Sequence, residues 1–324
     1  MVLRHNIHIK LQKERKYVVF ASKNIIQVYM KTNLNKAMAK TRIDEISLFK
    51  KISYLLNNSV SQCTYVNNIH GKIYVEYPSN ISNTIKRVEL GDLWIFIYDK
   101  AKKVLRMCIM QIKYKKRRYY RFLDLPINIY QWELLNTKPL LQNCNINIPY
   151  NILNFQKNYE SISAYGIFYH DNISKRREID FLYTLPRCLK PKNSYNTSTI
   201  QTYEFICPHG MGSPNSLCKE KNSKETFTTC SLDSFEKEVL LAHIGVPLYD
   251  EMKEFALSLL ERMQAGADDA SVIQRILSDF NREQNGNISS QFDHEEKNLF
   301  PQALVIATDS TKMLEHYKNN TEYL

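Results

Sequence analysis

The sequence predicts an α/β fold, a mixed sheet core flanked by helices, with a mainly helical C-terminal extension. Three observations carry this. Two apolar runs, 93–98 and 104–113, flank the polar turn Asp99-Lys100-Ala101-Lys102-Lys103 and read as a hairpin; the first is apolar on both faces, as a strand covered on both sides requires. Ile43, Ile46, Phe49, Ile52, Leu55 and Leu56 recur at helical spacing. Beyond residue 233 the apolar positions again follow a helical period.

The elements follow in chain order. Residues 16–30 read as short β segments or a strand and a turn of helix. Residues 41–57 read as a helix, with Thr41 as N-cap, Asp44 three residues on, and Asn57 and Asn58 at the end. Residues 72–77 alternate like a strand that Pro78 ends, and 79–84 read as loop. After the hairpin, a short helix is expected from about Asn128 to Asn136, with Trp132 and Leu135 packing it on the sheet. Residues 142–158 read as irregular, and 163–170 and 180–185 as strands, the last stopped by Pro186. His170 is a lone histidine and reads as a hydrogen-bonded structural residue. Residues 187–233, dominated by Pro, Asn, Ser, Thr and Lys, read as loop or linker. A helix starts near Asp233 and runs, split by Pro247, to Met263; a second carries Val272, Ile273, Ile276, Leu277 and Phe280. Residues 303–308 read as a late strand and 310–317 as a last helix. The expected division is a core over 1–186, the linker over 187–233 and an acidic, mainly helical region over 234–324.

Composition bounds the function. The chain of 324 residues is 44% hydrophobic and 24% charged, within the globular range. No stretch approaches the roughly 20 apolar residues of a membrane span, so no membrane partner is expected. Seven scattered cysteines, an odd number, point to reduced thiols and a cytoplasmic location. Cys207, His209, Cys218 and Cys230 lack the paired spacing of structural zinc sites, so no zinc is expected. Walker A, G-x-G-x-x-G, H-E-x-x-H and G-x-S-x-G motifs are absent, which leaves nucleotide hydrolysis, zinc proteolysis and serine esterase chemistry unsupported.

Charge is unevenly spread. Residues 231–324 hold 17 acidic and 8 basic side chains, a net −9, whereas the first 230 hold 16 and 36, a net +20. A basic body suits a polyanion, because lysines and arginines that neutralise phosphates release counterions. Lys115, Lys116, Arg117, Arg118 and Arg121 interleave with three tyrosines directly after the second hairpin strand. Basic residues hold a backbone and aromatics stack on bases, so these five are candidate nucleic-acid contacts; a solvated strand edge guarded by charge is the competing reading.

The hairpin also gathers chemistry. Tyr98 opposite Leu105 puts Asp92 opposite Gln111, and directly opposed residues share a face with Cβ atoms roughly 5 Å apart. Lys113, two residues on, shares that face. An acid, an amide and an ammonium then meet. Glu89, three residues before Asp92, either reaches the cluster as a further ligand or only flanks the strand. Oxygen donors of this kind suit Mg²⁺, with Mn²⁺ able to substitute. The competing reading is an ordinary hairpin with charges at its ends.

The pattern resembles the PD-(D/E)xK nuclease superfamily, in which an Asp opens one strand and a (D/E)-x-K triplet lies on the next. Here Gln111-Ile112-Lys113 forms the triplet, the Gln-x-Lys variant found in Mrr-type restriction enzymes, and Gly91 replaces the Pro before Asp92. The resemblance covers about residues 41–135. It implies a restriction-endonuclease-like core and Mg²⁺-dependent cleavage of nucleic acid, with DNA favoured, in restriction or antiviral defence. It assigns Asp92, Gln111 and Lys113 as catalytic, Asp92 and Gln111 as metal ligands, and Glu45 or Glu89 as a third ligand. The alternatives are a non-catalytic nucleic-acid-binding subunit and a subunit that docks a helicase or ATPase through its acidic part.

Overall fold

The computed structural model describes residues 33–36, 45–57, 61–67, 72–115, 125–155, 160–171, 178–192, 199–205, 218–219, 227–280 and 300–322. Within them the chain is mixed α/β. The expected segment 16–30 and the N-cap at Thr41 lie outside the described residues.

Helix α1 (Glu45–Leu56) leads into β1 (Gln62–Val66), β2 (Tyr74–Ser79), β3 (Thr84–Glu89), β4 (Leu93–Asp99), β5 (Val104–Lys115) and β6 (Leu125–Asn128). Helix α2 (Ile129–Thr137), β7 (Asn143–Cys144), β8 (Ser163–Asp171), β9 (Glu178–Thr184), β10 (Leu189–Pro191) and β11 (Ile200–Phe205) follow. The remainder comprises β12 (Cys218–Lys219), β13 (Phe227–Ser231), α3 (Leu232–Leu240), β14 (Val246–Pro247), α4 (Asp250–Met263), α5 (Ala270–Asp279), β15 (Ala303–Thr308) and α6 (Ser310–Glu322). The main sheet runs β1-β15-β4-β5-β8-β9-β13-β12, with β14 beside the start of β5. Two three-stranded sheets, β3-β2-β7 and β10-β11-β6, complete the architecture.

The hairpin register is the expected one: Tyr98 pairs Leu105 and Leu93 pairs Met110. Both sides of it are covered, as its apolar composition demands. Leu93, Ile95, Ile97, Cys108, Met110 and Ile112 belong to a core with α1, α3 and Met313 of α6. Trp94, Phe96, Tyr98, Leu105, Met107 and Ile109 belong to a second core with α4, α5 and the β2–β3 hairpin. Helix α2 contributes Leu135 to the first core and Leu134 to the second. It sits on the crossover that returns the chain to β8, which is parallel to β5.

Three expectations change. Strand β2 continues through Pro78. Partner β7 pairs only Val75 and Glu76, so no ladder hydrogen bond is asked of the missing N–H on that side. Residues 84–89 form a strand, β3, which the sequence conceals because half of its side chains are exposed and only Val88 is buried. The stretch 187–233 carries β10 to β13, including β11 between β6 and β10 and β13 beside β9. The late strand β15 pairs β4 in parallel and β1 antiparallel, which ties the C-terminal region into the main sheet. No described helix is long and apolar enough to cross a membrane. His170 accepts or donates to the Tyr114 hydroxyl at 3.0 Å, in line with a structural role.

Candidate active site

Asp92 sits at the mouth of the β4–β5 hairpin. Gly91 precedes it because a Cβ there would stand 2.7 Å from the Cγ2 atom of Ile109, so only glycine brings the chain this close to β5. The Asp92 N–H donates to the Met110 carbonyl at 3.0 Å, which fixes the backbone beside β5. Its Oδ2 accepts the Ile112 N–H at 2.7 Å and the side-chain amide of Gln111. Its Oδ1 takes no hydrogen bond among the described residues. Lys113, half-buried two residues beyond Gln111, shares that face and exerts its charge on both Asp92 and Glu89. The expected trio of acid, amide and lysine is therefore brought together.

Glu89 joins them as the last residue of β3. Its Oε2 lies 3.4 Å from the Lys72 ammonium, with the Lys72 side chain 65% and the Glu89 side chain 18% exposed. Glu45 opens α1, whose Leu48, Phe49, Ile52 and Leu56 pack in the core of Leu93, Met110 and Ile112. The neighbouring positions Trp94 and Ile109, which share the face of Asp92 and Gln111, belong to the other core. The Glu45 side chain itself lies outside the described residues. So do Lys116, Arg117, Arg118 and Arg121 and the side chain of Lys115, together with Cys207, His209 and the side chains of Cys218 and Cys230.

Two partners went unnoticed in the sequence. Gln131, 7% exposed on α2, donates its side-chain amide to the Gln111 Oε1 and, at 3.1 Å, to the Glu89 carbonyl. A chain of amides thus runs from Gln131 through Gln111 to Asp92. Tyr165 of β8 lies opposite Gln111, fully buried, and its hydroxyl has no hydrogen-bond partner among the described residues. The signal for Gln131 was a polar residue on an inward helical turn beside Leu134 and Leu135. Tyr165 gave none, since buried tyrosines are common.

A buried carboxylate fastens these elements to one another. Glu133, 2% exposed, accepts from the Tyr77 hydroxyl at 3.0 Å, the Ser79 hydroxyl at 2.6 Å, and the N–H groups of Asn80 and Ile81 at 2.7 and 3.1 Å. It clamps α2, which carries Gln131, to the β2–β3 turn that leads to Glu89. Asn128 caps α2 through the N–H groups of Tyr130 and Gln131.

The electrostatics are unsettled. Burial raises the Asp92 carboxyl above the usual range, opposed by Lys113, the Ile112 N–H, Lys72 and Gln111. Burial, then the charge of Asp92, raises Glu89, opposed by Lys72 and Lys113. Two carboxylates that each carry this penalty gain from a cation between them. Asp92, Glu89 and the Gln111 amide oxygen are hard oxygen donors, so the set fits Mg²⁺ in kind. The Gln111 oxygen faces Gln131, and a half-turn of the amide is required before it faces a cation beside Asp92. Among the described residues no group of three or more His, Cys, Asp and Glu converges.

Comparison with family models, curated proteins and solved structures finds no match to this chain.

Proposed function

We propose that the chain is a metal-dependent nuclease of restriction-endonuclease-like fold that hydrolyses phosphodiesters of nucleic acid, with DNA as the first substrate, in restriction or antiviral defence. The observation that carries this is the meeting of Asp92, Gln111 and Lys113 on one face, with Glu89 beside them. The net +20 of the first 230 residues supports a polyanionic substrate.

Asp92 and Glu89 would hold Mg²⁺, with the Gln111 oxygen as third donor. A bound Mg²⁺ polarises the phosphoryl oxygen and lowers the pKa of its water. Lys113 orients the attacking water and stabilises charge that develops on the phosphate. The water oxygen forms the new P–O bond as its proton passes to solvent, the opposite ester P–O bond breaks, and the leaving oxygen takes a proton from solvent.

A second reading, a non-catalytic nucleic-acid-binding or partner-docking subunit, is favoured by one observation. The chain Gln131–Gln111–Asp92 engages one carboxylate oxygen, Oδ2, and turns the Gln111 oxygen away from it toward Gln131.

Cleavage of plasmid and single-stranded DNA in Mg²⁺, Mn²⁺ and EDTA separates the two. The nuclease reading expects metal-dependent cleavage by wild type and a loss of about 100-fold or more in Lys113→Ala. Binding without cleavage under every metal condition contradicts it and favours the second reading.

A further inference from the structure

Lys72 belongs to no motif, yet it reaches the candidate site. It stands two residues before β2, across the hairpin from Glu89, and its ammonium is 3.4 Å from the Glu89 carboxylate. Its charge also acts on Asp92. Lys113 acts on the same two carboxylates from β5. Two acids are thus flanked by two ammonium groups from different elements.

The two lysines differ in freedom. Lys113 is half-buried on the central hairpin. The Lys72 side chain is 65% exposed, at the end of a flexible four-carbon stem, and can swing. A divalent cation and an ammonium compete for the same Glu89 oxygens, because both need that negative charge. When the cation takes them, the displaced ammonium lies at the mouth of a site built for a phosphodiester. Its nearest new partner of opposite charge is a non-bridging phosphate oxygen.

Resting on the nuclease reading, we infer that Lys72 is an exchanging counter-ion: it holds Glu89 in the metal-free protein and turns to the substrate phosphate once a divalent cation occupies the site. It is a substrate-binding residue and takes no part in proton transfer.

This assigns Lys72 two effects of opposite sign. It weakens metal binding and strengthens nucleic-acid binding, the latter only with metal present. A merely structural lysine, or one more surface cation, does not give that pattern. The test uses the full chain as wild type, Lys72→Gln, Lys72→Arg and the distant charge control Lys102→Gln. Mn²⁺ alone is titrated by calorimetry. A labelled single-stranded oligonucleotide is titrated by anisotropy, in EDTA and in Ca²⁺. Lys72→Gln is expected to bind Mn²⁺ roughly threefold more tightly and the oligonucleotide in Ca²⁺ roughly threefold more weakly, the scale of one exposed ion pair. In EDTA its oligonucleotide affinity should match wild type. Lys72→Arg should restore binding in Ca²⁺, and Lys102→Gln should leave Mn²⁺ affinity unchanged. Unchanged or weaker Mn²⁺ binding by Lys72→Gln, or an equal loss of oligonucleotide binding in EDTA and Ca²⁺, overturns the inference while the nuclease reading stands. A wild type that binds neither Mn²⁺ nor oligonucleotide overturns both.

Discussion

Glu133 and Asp92 are buried or nearly buried carboxylates joined through the same short helix, and they have opposite characters. Glu133 receives four donors, two on each oxygen, all from the β2–β3 hairpin. Asp92 receives two donors, both on Oδ2. Burial leaves Asp92 with a raised pKa, and its neighbour Glu89 is raised as well. A buried charge is tolerable when its lone pairs are all used, and costly when they are not. Glu133 therefore reads as a fastener. Asp92, whose Oδ1 takes no hydrogen bond among the described residues and which has a second acid beside it, is the proposed cation site. The helix serves both: Glu133 fixes it to the hairpin, and Gln131, two residues earlier, reaches the cluster.

The largest effect on stability should come from breaking the fastener. Glu133→Ala strips the acceptor from the buried Ser79 hydroxyl and from the Asn80 and Ile81 N–H groups, while the Tyr77 hydroxyl keeps the Tyr130 carbonyl at 2.6 Å; a buried donor left unmade costs about 1–3 kcal/mol. A loss of about 2–3 kcal/mol in urea unfolding is expected. A loss under about 1 kcal/mol would remove the contrast between the two carboxylates.

pH should separate them next. Raised folded-state pKa values at Asp92 and Glu89 mean that the folded state favours their protonated forms. Their contribution is fully present below the ordinary carboxylate pKa of about 4 and is lost as pH rises through the raised values. Glu89→Gln should therefore raise the denaturation midpoint at neutral pH and leave it unchanged near pH 3. Because cation binding needs the ionised pair, the acid limb of any metal-dependent activity should lie above the usual carboxylate range. Removing Lys72 should move that limb further up, since its charge lowers both acids. A midpoint that shifts equally at both pH values would mean that Glu89 acts through packing.

A smaller change is expected from Gln111→Glu. It restores the acid of the commoner triplet and adds charge for the metal, so Mg²⁺-dependent cleavage should hold or rise severalfold, read as the Mg²⁺ concentration at half-maximal rate. A fall in rate at saturating Mg²⁺ would show that the amide chain to Gln131 is itself required.

The hairpin was legible because two apolar runs flank one short polar turn, and closing that turn with Tyr98 opposite Leu105 sets the register for the rest of the pair. Apolar runs of this strength announce themselves, as did α4, α5 and β15. Strand β3 did not, because its Thr84, Ile85 and Arg87 are exposed and no apolar alternation marks it. Lys72 was hidden with it: its approach to Glu89 exists only because β2 and β3 pair. The place of β15 beside β4 depends on a pairing across some 200 residues of chain, which no local pattern records. Gln131 was hidden for a related reason, since its reach to Gln111 depends on where the β5–α2–β8 crossover lays the helix.

Asp92 is the proposed anchor of a hydrolytic centre, and Asp92→Asn tests that role with little steric disturbance. Asparagine retains one oxygen for the Ile112 N–H and the Gln111 amide, and loses the charge and the second oxygen donor. The measurement is the rate of Mg²⁺-dependent DNA cleavage by purified wild type and Asp92→Asn, at protein concentrations that saturate DNA binding for each. A loss of about 100-fold or more, with DNA affinity in EDTA equal to or tighter than wild type, is predicted. Cleavage by Asp92→Asn at the wild-type rate would contradict the account and place any activity outside this cluster.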